Sequence, residues 1–147
     1  MPSRTFWLIS ASGLARFVVF LAIAYGTPDV SALHDAAVKT FLVYAALTLS
    51  FLGGARWGAE LARSPDAPNL RRMVAAATPT VVGLAALLPQ TPLKAALGLL
   101  ILSGGIQLAW DVAASRSGLL PPWNARVRTV MTIAGTLCSL ALWPTIA

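Results

Sequence analysis

Residues 38–62, VKTFLVYAALTLSFLGGARWGAELA, decide the fold. No charged side chain interrupts the run between Lys39 and Arg56. Wound at about 1.5 Å per residue it reaches about 37 Å, more than the ~30 Å hydrocarbon core of a bilayer. In lipid no water pairs an exposed amide, so such a run has to be helical. Four further apolar stretches surround it, at 6–26, 73–88, 93–114 and 127–143, bounded by charge, Pro or Gly clusters. The expectation is an all-α integral membrane bundle of five transmembrane helices, a single transmembrane helical domain over 1–147. Pro79 falls inside the short third stretch, where it removes a ladder donor and predicts a kink.

Composition agrees: 57% of residues are hydrophobic and 11% charged, where a soluble domain carries about 25% charged residues. The net charge of +6 does not point to nucleic acid, because basic residues crowded on one side of a membrane chain report orientation and contact with anionic lipid. One cysteine, Cys138, forms neither an internal disulfide nor a thiolate metal site and is read as a small packing residue. The first stretch carries Arg16 in its middle, which favours a retained span over a cleaved signal peptide.

The basic residues orient the bundle. Arg4, Arg63, Arg71, Arg72, Arg116, Arg126 and Arg128 fall on one side and Lys39 and Lys94 on the other, which predicts a cytoplasmic N-terminus and an outer C-terminus. Trp7, Trp57, Trp110 and Trp123 lie near the basic side, as interfacial indoles do. The expected setting is the bacterial inner membrane, with the mitochondrial inner membrane as the alternative. The expected partners are the lipid bilayer, with anionic lipid at the cytoplasmic face, and a homo-oligomer or a membrane-protein partner.

Small residues mark packing faces. Ser50, Gly54 and Gly58, followed by Ala62, recur every fourth residue on the second helix and predict a helix-packing seam. Gly105, Ala109 and Ala113 make a similar row on the fourth helix, opposite a polar row of Ser103, Gln107 and Asp111 that should face into the bundle. Arg16 lies about 15 Å along the first helix, near mid-membrane, and needs acceptors. Ser103 and Gln107 match its depth, so Arg16, Ser103, Gln107 and Asp111 form a candidate intramembrane polar site. Arg56 and Asp111 lie about 27 Å from the outer ends of their helices and join Glu60, Arg126 and Arg128 in a cytoplasmic rim. There Asp111 is expected to pair with Arg56 or Arg128, and Glu60 has Arg56 as an i,i+4 neighbour.

The run Tyr44, Ala45, Ala46, Leu47, Thr48, Leu49, Ser50, Phe51, Leu52, Gly53, Gly54, Ala55, Arg56, Trp57, Gly58 fits the pattern YxxxxxSFxGGxxWG. Pro79, Asp111 and the element Pro122, Trp123, Asn124, Ala125, Arg126, Val127, Arg128, Thr129, Val130, Met131, Thr132 follow in order, the last beside PxWYxxLRxxLT. In these features the chain resembles a small polytopic membrane-protein family catalogued as domain of unknown function 3429, which includes the eukaryotic transmembrane protein 69. It departs at Asn124, where Tyr is common, and at Gly13, Leu14, Ala15, Arg16, Phe17, where the family tends to have Gly-Leu-x-Pro-Phe. The resemblance implies a membrane-embedded bundle and no established activity.

An enzyme is not expected. His34 is the single histidine and is read as a solvated residue of the short outer loop beside Asp35. No cluster has metal-ligand spacing and no paired carboxylates share a helix face, so no catalytic or metal residue is assigned. No cofactor is expected, since one histidine does not hold a bis-histidine haem. The first functional reading is a membrane-embedded scaffold, assembly factor or accessory subunit working by lateral contact. A transporter or channel for a small solute or ion, assembled as an oligomer, is the competing one.

Overall fold

A computed structural model describes residues 4–146. All regular structure among them is helical: α1 Arg4–Gly26, α2 Ala32–Arg63, α3 Leu70–Ala86, α4 Leu93–Arg116 and α5 Pro122–Leu142, then a short 3-10 turn, Trp143–Thr145. Four segments are long and apolar enough to cross a membrane: α1, α2, α4, and α5 with its terminal turn. The 17-residue α3 is shorter, about 25 Å of helix against a core of about 30 Å. Leu8, Leu47, Phe51, Leu102, Ile106 and Leu137 are exposed large apolar side chains on the long helices, a surface that water would penalise and lipid tails accept.

Capping chemistry moves several boundaries outward from the apolar runs. α2 begins at Ala32 and not at 38 because Ser31 caps it: the Ser31 Oγ accepts from the His34 N–H at 3.1 Å, and Asp35 in the first turn suits the helix dipole. His34 and Asp35 therefore belong to a helix, which corrects their assignment to the loop. α4 ends in a Schellman arrangement, with Leu119 N–H on Ala114 O at 2.9 Å and Gly118 N–H on Ser115 O at 3.4 Å. Gly118 takes φ 75° there, a left-handed conformation that a side chain would strain. α5 opens at Pro122, in the first turn, where a missing N–H costs no bond.

Contacts group the chain into two compact units, one made of the residues up to Phe41 together with those from Gly104 on, the other of Leu42–Ser103. In the first, α1 and α5 pack side by side. The Tyr25 hydroxyl donates to Ala141 O at 2.7 Å, so the C-terminal ends of α1 and α5 meet and the two helices run parallel. Phe17 and Phe41 stack edge to face, centroids 5.1 Å apart, and Ala24, Val38 and Leu142 are buried.

In the second unit α2 and α3 pack antiparallel along a seam of small residues. A Cβ on Gly83 would lie 3.2 Å from Ala46 Cβ, and one on Gly53 would be driven into the backbone carbonyl of Ala76. Between those contacts Ser50 and Thr80 share a hydroxyl hydrogen bond of 2.8 Å. Beyond them the Trp57 indole donates to Met73 O at 2.9 Å. Ala46, Ser50, Gly53 and Trp57 thus face Gly83, Thr80, Ala76 and Met73 in turn. Alternating steps of four and three residues are the spacing by which one helix presents a continuous stripe to another. Pro79 is buried in the same stretch of α3.

Candidate functional site

The polar row of α4 is buried. Ser103, Gln107 and Asp111 are 7%, 4% and 2% exposed, and their four-residue spacing aligns them along one side of the helix. An aspartate this deep requires a counter-charge. α5 supplies it: Arg128 Nε lies 3.4 Å from Asp111 Oδ2, and the Arg128 side chain is only 12% exposed. Arg128 is one of the two arginines that depth offered to Asp111. Chemically the arrangement fixes opposite charges in place where α4 and α5 run close to their shared loop.

Arg16 is not directed into the bundle. It is exposed, and its Nη1 donates back along its own helix to Ser12 O at 3.5 Å. The reason is helical phase. α1 buries little of itself, through Phe17 and Ala24 one heptad apart, and Arg16 is turned about 100° from Phe17.

Glu60 also departs from expectation. It is buried, and its partners come from the next helix instead of from Arg56. Glu60 Oε1 accepts from the Asn69 N–H at 2.9 Å, and Oε2 lies 3.3 Å from Arg72 Nη1. Asn69 in turn caps α3, its side chain accepting from the Arg72 N–H at 3.2 Å. One carboxylate therefore holds both the turn and the entry into α3. Of the remaining rim residues, Arg56 is half-buried and Arg126 exposed.

The seam expected at Ser50, Gly54 and Gly58 is shifted by one residue. Gly54 and Gly58 are exposed, and a Cβ on either would meet nothing within 4 Å. Ser50 does face α3, through Thr80, but its companions are Gly53 and Trp57. Trp57 thereby gains a structural bond besides the interfacial position expected of it. Gly105, Ala109 and Ala113, expected as the packing row of α4, are likewise exposed. A count of small residues at four-residue spacing fits both phases of α2; the alternation 46, 50, 53, 57 is the signal that separates them.

His34 was read as solvated and is in fact 5% exposed. Its Nδ1 lies 3.0 Å from Ala24 O and its Nε2 3.0 Å from Thr145 O, so one ring joins the end of α1, the start of α2 and the terminal turn. Ser31, a capping residue placed before the histidine, is the sequence signal that puts it in a helix.

The model of a family described as "Protein of unknown function (DUF3429)" matches residues 2–144. The chain is similar to transmembrane protein 69 of Xenopus tropicalis, 27% identical over 139 residues that make up 90% of this chain and 54% of that protein. It thus spans about half the length of that relative. No solved structure matches.

Proposed function

The chain belongs to the family of proteins of unknown function DUF3429, and from that premise we propose that it is a membrane-embedded scaffold, assembly factor or accessory subunit that works by lateral contact. One observation carries the proposal. Gly54, Gly58 and Ala62 on α2, and Gly105, Ala109 and Ala113 on α4, all point outward, where a purely lipid-facing helix has no need of small side chains. Rows of this kind let a neighbouring helix approach its backbone closely, and close packing is what associates helices in lipid.

The proposed topology has five spans, with a cytoplasmic N-terminus and an outer C-terminus, in a bacterial inner membrane or else a mitochondrial one. Parity supports it. α1 and α5 run parallel, with Tyr25 bonded to Ala141 O and His34 reaching both Ala24 O and Thr145 O. Parallel first and last spans require an odd number of crossings between them, which favours counting α3 with α2 and α4. Basic side chains at the cytoplasmic face are proposed to meet anionic lipid.

A second reading, transport of a small solute or ion by an oligomer, draws on the burial of Ser103, Gln107 and Asp111. The two are separated by purifying wild-type protein and Gly58→Leu in mild detergent, measuring the mass of the particle and the proteins that accompany it. The scaffold reading expects a particle larger than one chain, reduced by Gly58→Leu with the melting temperature unchanged. A particle built of copies of this chain alone, together with solute uptake by reconstituted liposomes, favours transport.

A further inference from the structure

The ring of His34 is held between two acceptors. Ala24 O belongs to the last turn of α1, among the carbonyls a helix leaves without an intrahelical partner. Thr145 O belongs to the terminal 3-10 turn. Each lies 3.0 Å from a different ring nitrogen, and a carbonyl oxygen can only accept. A neutral imidazole carries one N–H, so it bonds one of the two and sets a lone pair against the other; the imidazolium donates to both.

The charges around the ring do not decide the matter. On α2, Asp35 is exposed and committed to Lys39 at 2.7 Å. On α1 the nearest titratable group is Tyr25, whose hydroxyl donates to Ala141 O. Asp29 in the intervening loop is exposed. Residues 140–146, at the end of α5 and in the terminal turn, include no Asp, Glu, Lys, Arg or His. Among the described residues no carboxylate reaches the ring within hydrogen-bonding distance. The negative end of the α1 dipole and the positive start of α2 oppose one another there, which leaves the two carbonyls to distinguish the charge states.

We infer that His34 is a protonation-gated clasp. Charged, it fastens the terminal turn and the end of α1 to the start of α2. Neutral, it keeps α1, which Tyr25 also holds, and releases the turn that carries Trp143 and Ile146. No covalent step is involved; the proton comes from and returns to the solvent at that face. The device would make the outer end of the bundle respond to local acidity.

Because the chain has one histidine, its ring nitrogens are unambiguous in a 15N spectrum of protein labelled at histidine and held in detergent micelles. We expect both nitrogens protonated at the acid end of a pH series and one deprotonated at its alkaline end. Over the same change, hydrogen exchange of the amides of Trp143, Thr145 and Ile146, corrected for intrinsic base catalysis, should rise roughly tenfold, the loss of one hydrogen bond of ordinary net strength. In His34→Gln, which cannot ionise, the corrected exchange should not vary with pH. A ring that keeps one protonation state throughout would overturn the inference, and needs no variant to be seen. So would corrected exchange that rises equally in wild type and His34→Gln, or that stays constant in wild type while the ring titrates.

Discussion

The two units of this chain are held together by different means. Within Leu42–Ser103 the cohesion is close approach: Gly53 lies under the Ala76 carbonyl and Gly83 under Ala46, with one hydroxyl pair between them. In the other unit an edge-to-face pair, Phe17 on Phe41, is supplemented by polar contacts that cross between elements: Tyr25 on Ala141 O, His34 on Ala24 O and Thr145 O, and Asp111 against Arg128. Lipid tails are as apolar as the side chains they surround, so helices in a bilayer are joined by dispersion at short range or by hydrogen bonds and ion pairs. Where α2 and α3 present glycine and alanine, backbones can nearly touch and dispersion suffices. α1 and α5 bring bulkier residues to their ends, and side chains reaching carbonyls take over.

The largest expected effect tests the polar unit. Asp111→Asn leaves Arg128 desolvated without its counter-charge, and breaking one side of a buried pair costs up to about 3 to 5 kcal/mol. Replacing both residues by leucine should recover most of that loss, since an apolar pair of similar volume is often neutral or better. Melting curves in one detergent compare the three proteins. An Asp111→Asn protein that melts with wild type would mean that water or another acceptor already screens Arg128.

Next in size is the apolar seam. Gly53→Ala pushes a methyl group against a backbone carbonyl, which only a separation of α2 from α3 can relieve. Overpacking of this kind costs about 1 to 3 kcal/mol, more than the gain of up to about 1 kcal/mol in helix propensity. The melting temperature should fall, and further for Gly53→Leu. Unchanged melting in both would remove the seam as the source of cohesion.

Glu60→Gln tests the exception, a polar tie inside the apolar unit. The amide oxygen can still accept from the Asn69 N–H, while the attraction to Arg72, about a third exposed, is lost and was already weakened by solvent. We expect a smaller drop in melting temperature than for Asp111→Asn, disappearing at high salt. A drop that equals that of Asp111→Asn and ignores salt would make Glu60 a deeply buried charge and narrow the contrast between the units.

Much of this was readable from residue order. The apolar runs gave the helices, since apolar length and charge-bounded ends are one-dimensional properties, and depth along α4 and α5 was enough to bring Asp111 and Arg128 to one level. Rotational phase was harder. Gly53 and Gly54 are adjacent, about 100° apart on the helix, and small-residue spacing alone does not choose between them; the alternation 46, 50, 53, 57 matched to the partner row Met73, Ala76, Thr80, Gly83 selects Gly53. Arg16 shows the same limit, sharing its depth with Gln107 while being exposed and turned about 100° from Phe17. Glu60 and His34 were misread because their partners are backbone groups, Asn69 N–H, Ala24 O and Thr145 O, which no residue type announces.

The smallest effect is the sharpest test of that phase. Gly54→Ala adds the same methyl group one residue further on, where nothing lies within 4 Å. With no contact to disturb, the substitution should stabilise the single chain through reduced freedom of the unfolded backbone, by up to about 1 kcal/mol. Two neighbouring glycines should therefore respond to one methyl with opposite signs, Gly53→Ala melting lower and Gly54→Ala slightly higher. If the outward row is where another helix rests, the same Gly54→Ala protein will show weaker association while its single-chain melt rises, a split that fluorescence energy transfer between labelled copies and a dilute detergent melt can record separately. A fall in the dilute melt for both glycines would mean that Gly54 also packs within the chain, and the outward face proposed for lateral contact would lose its footing.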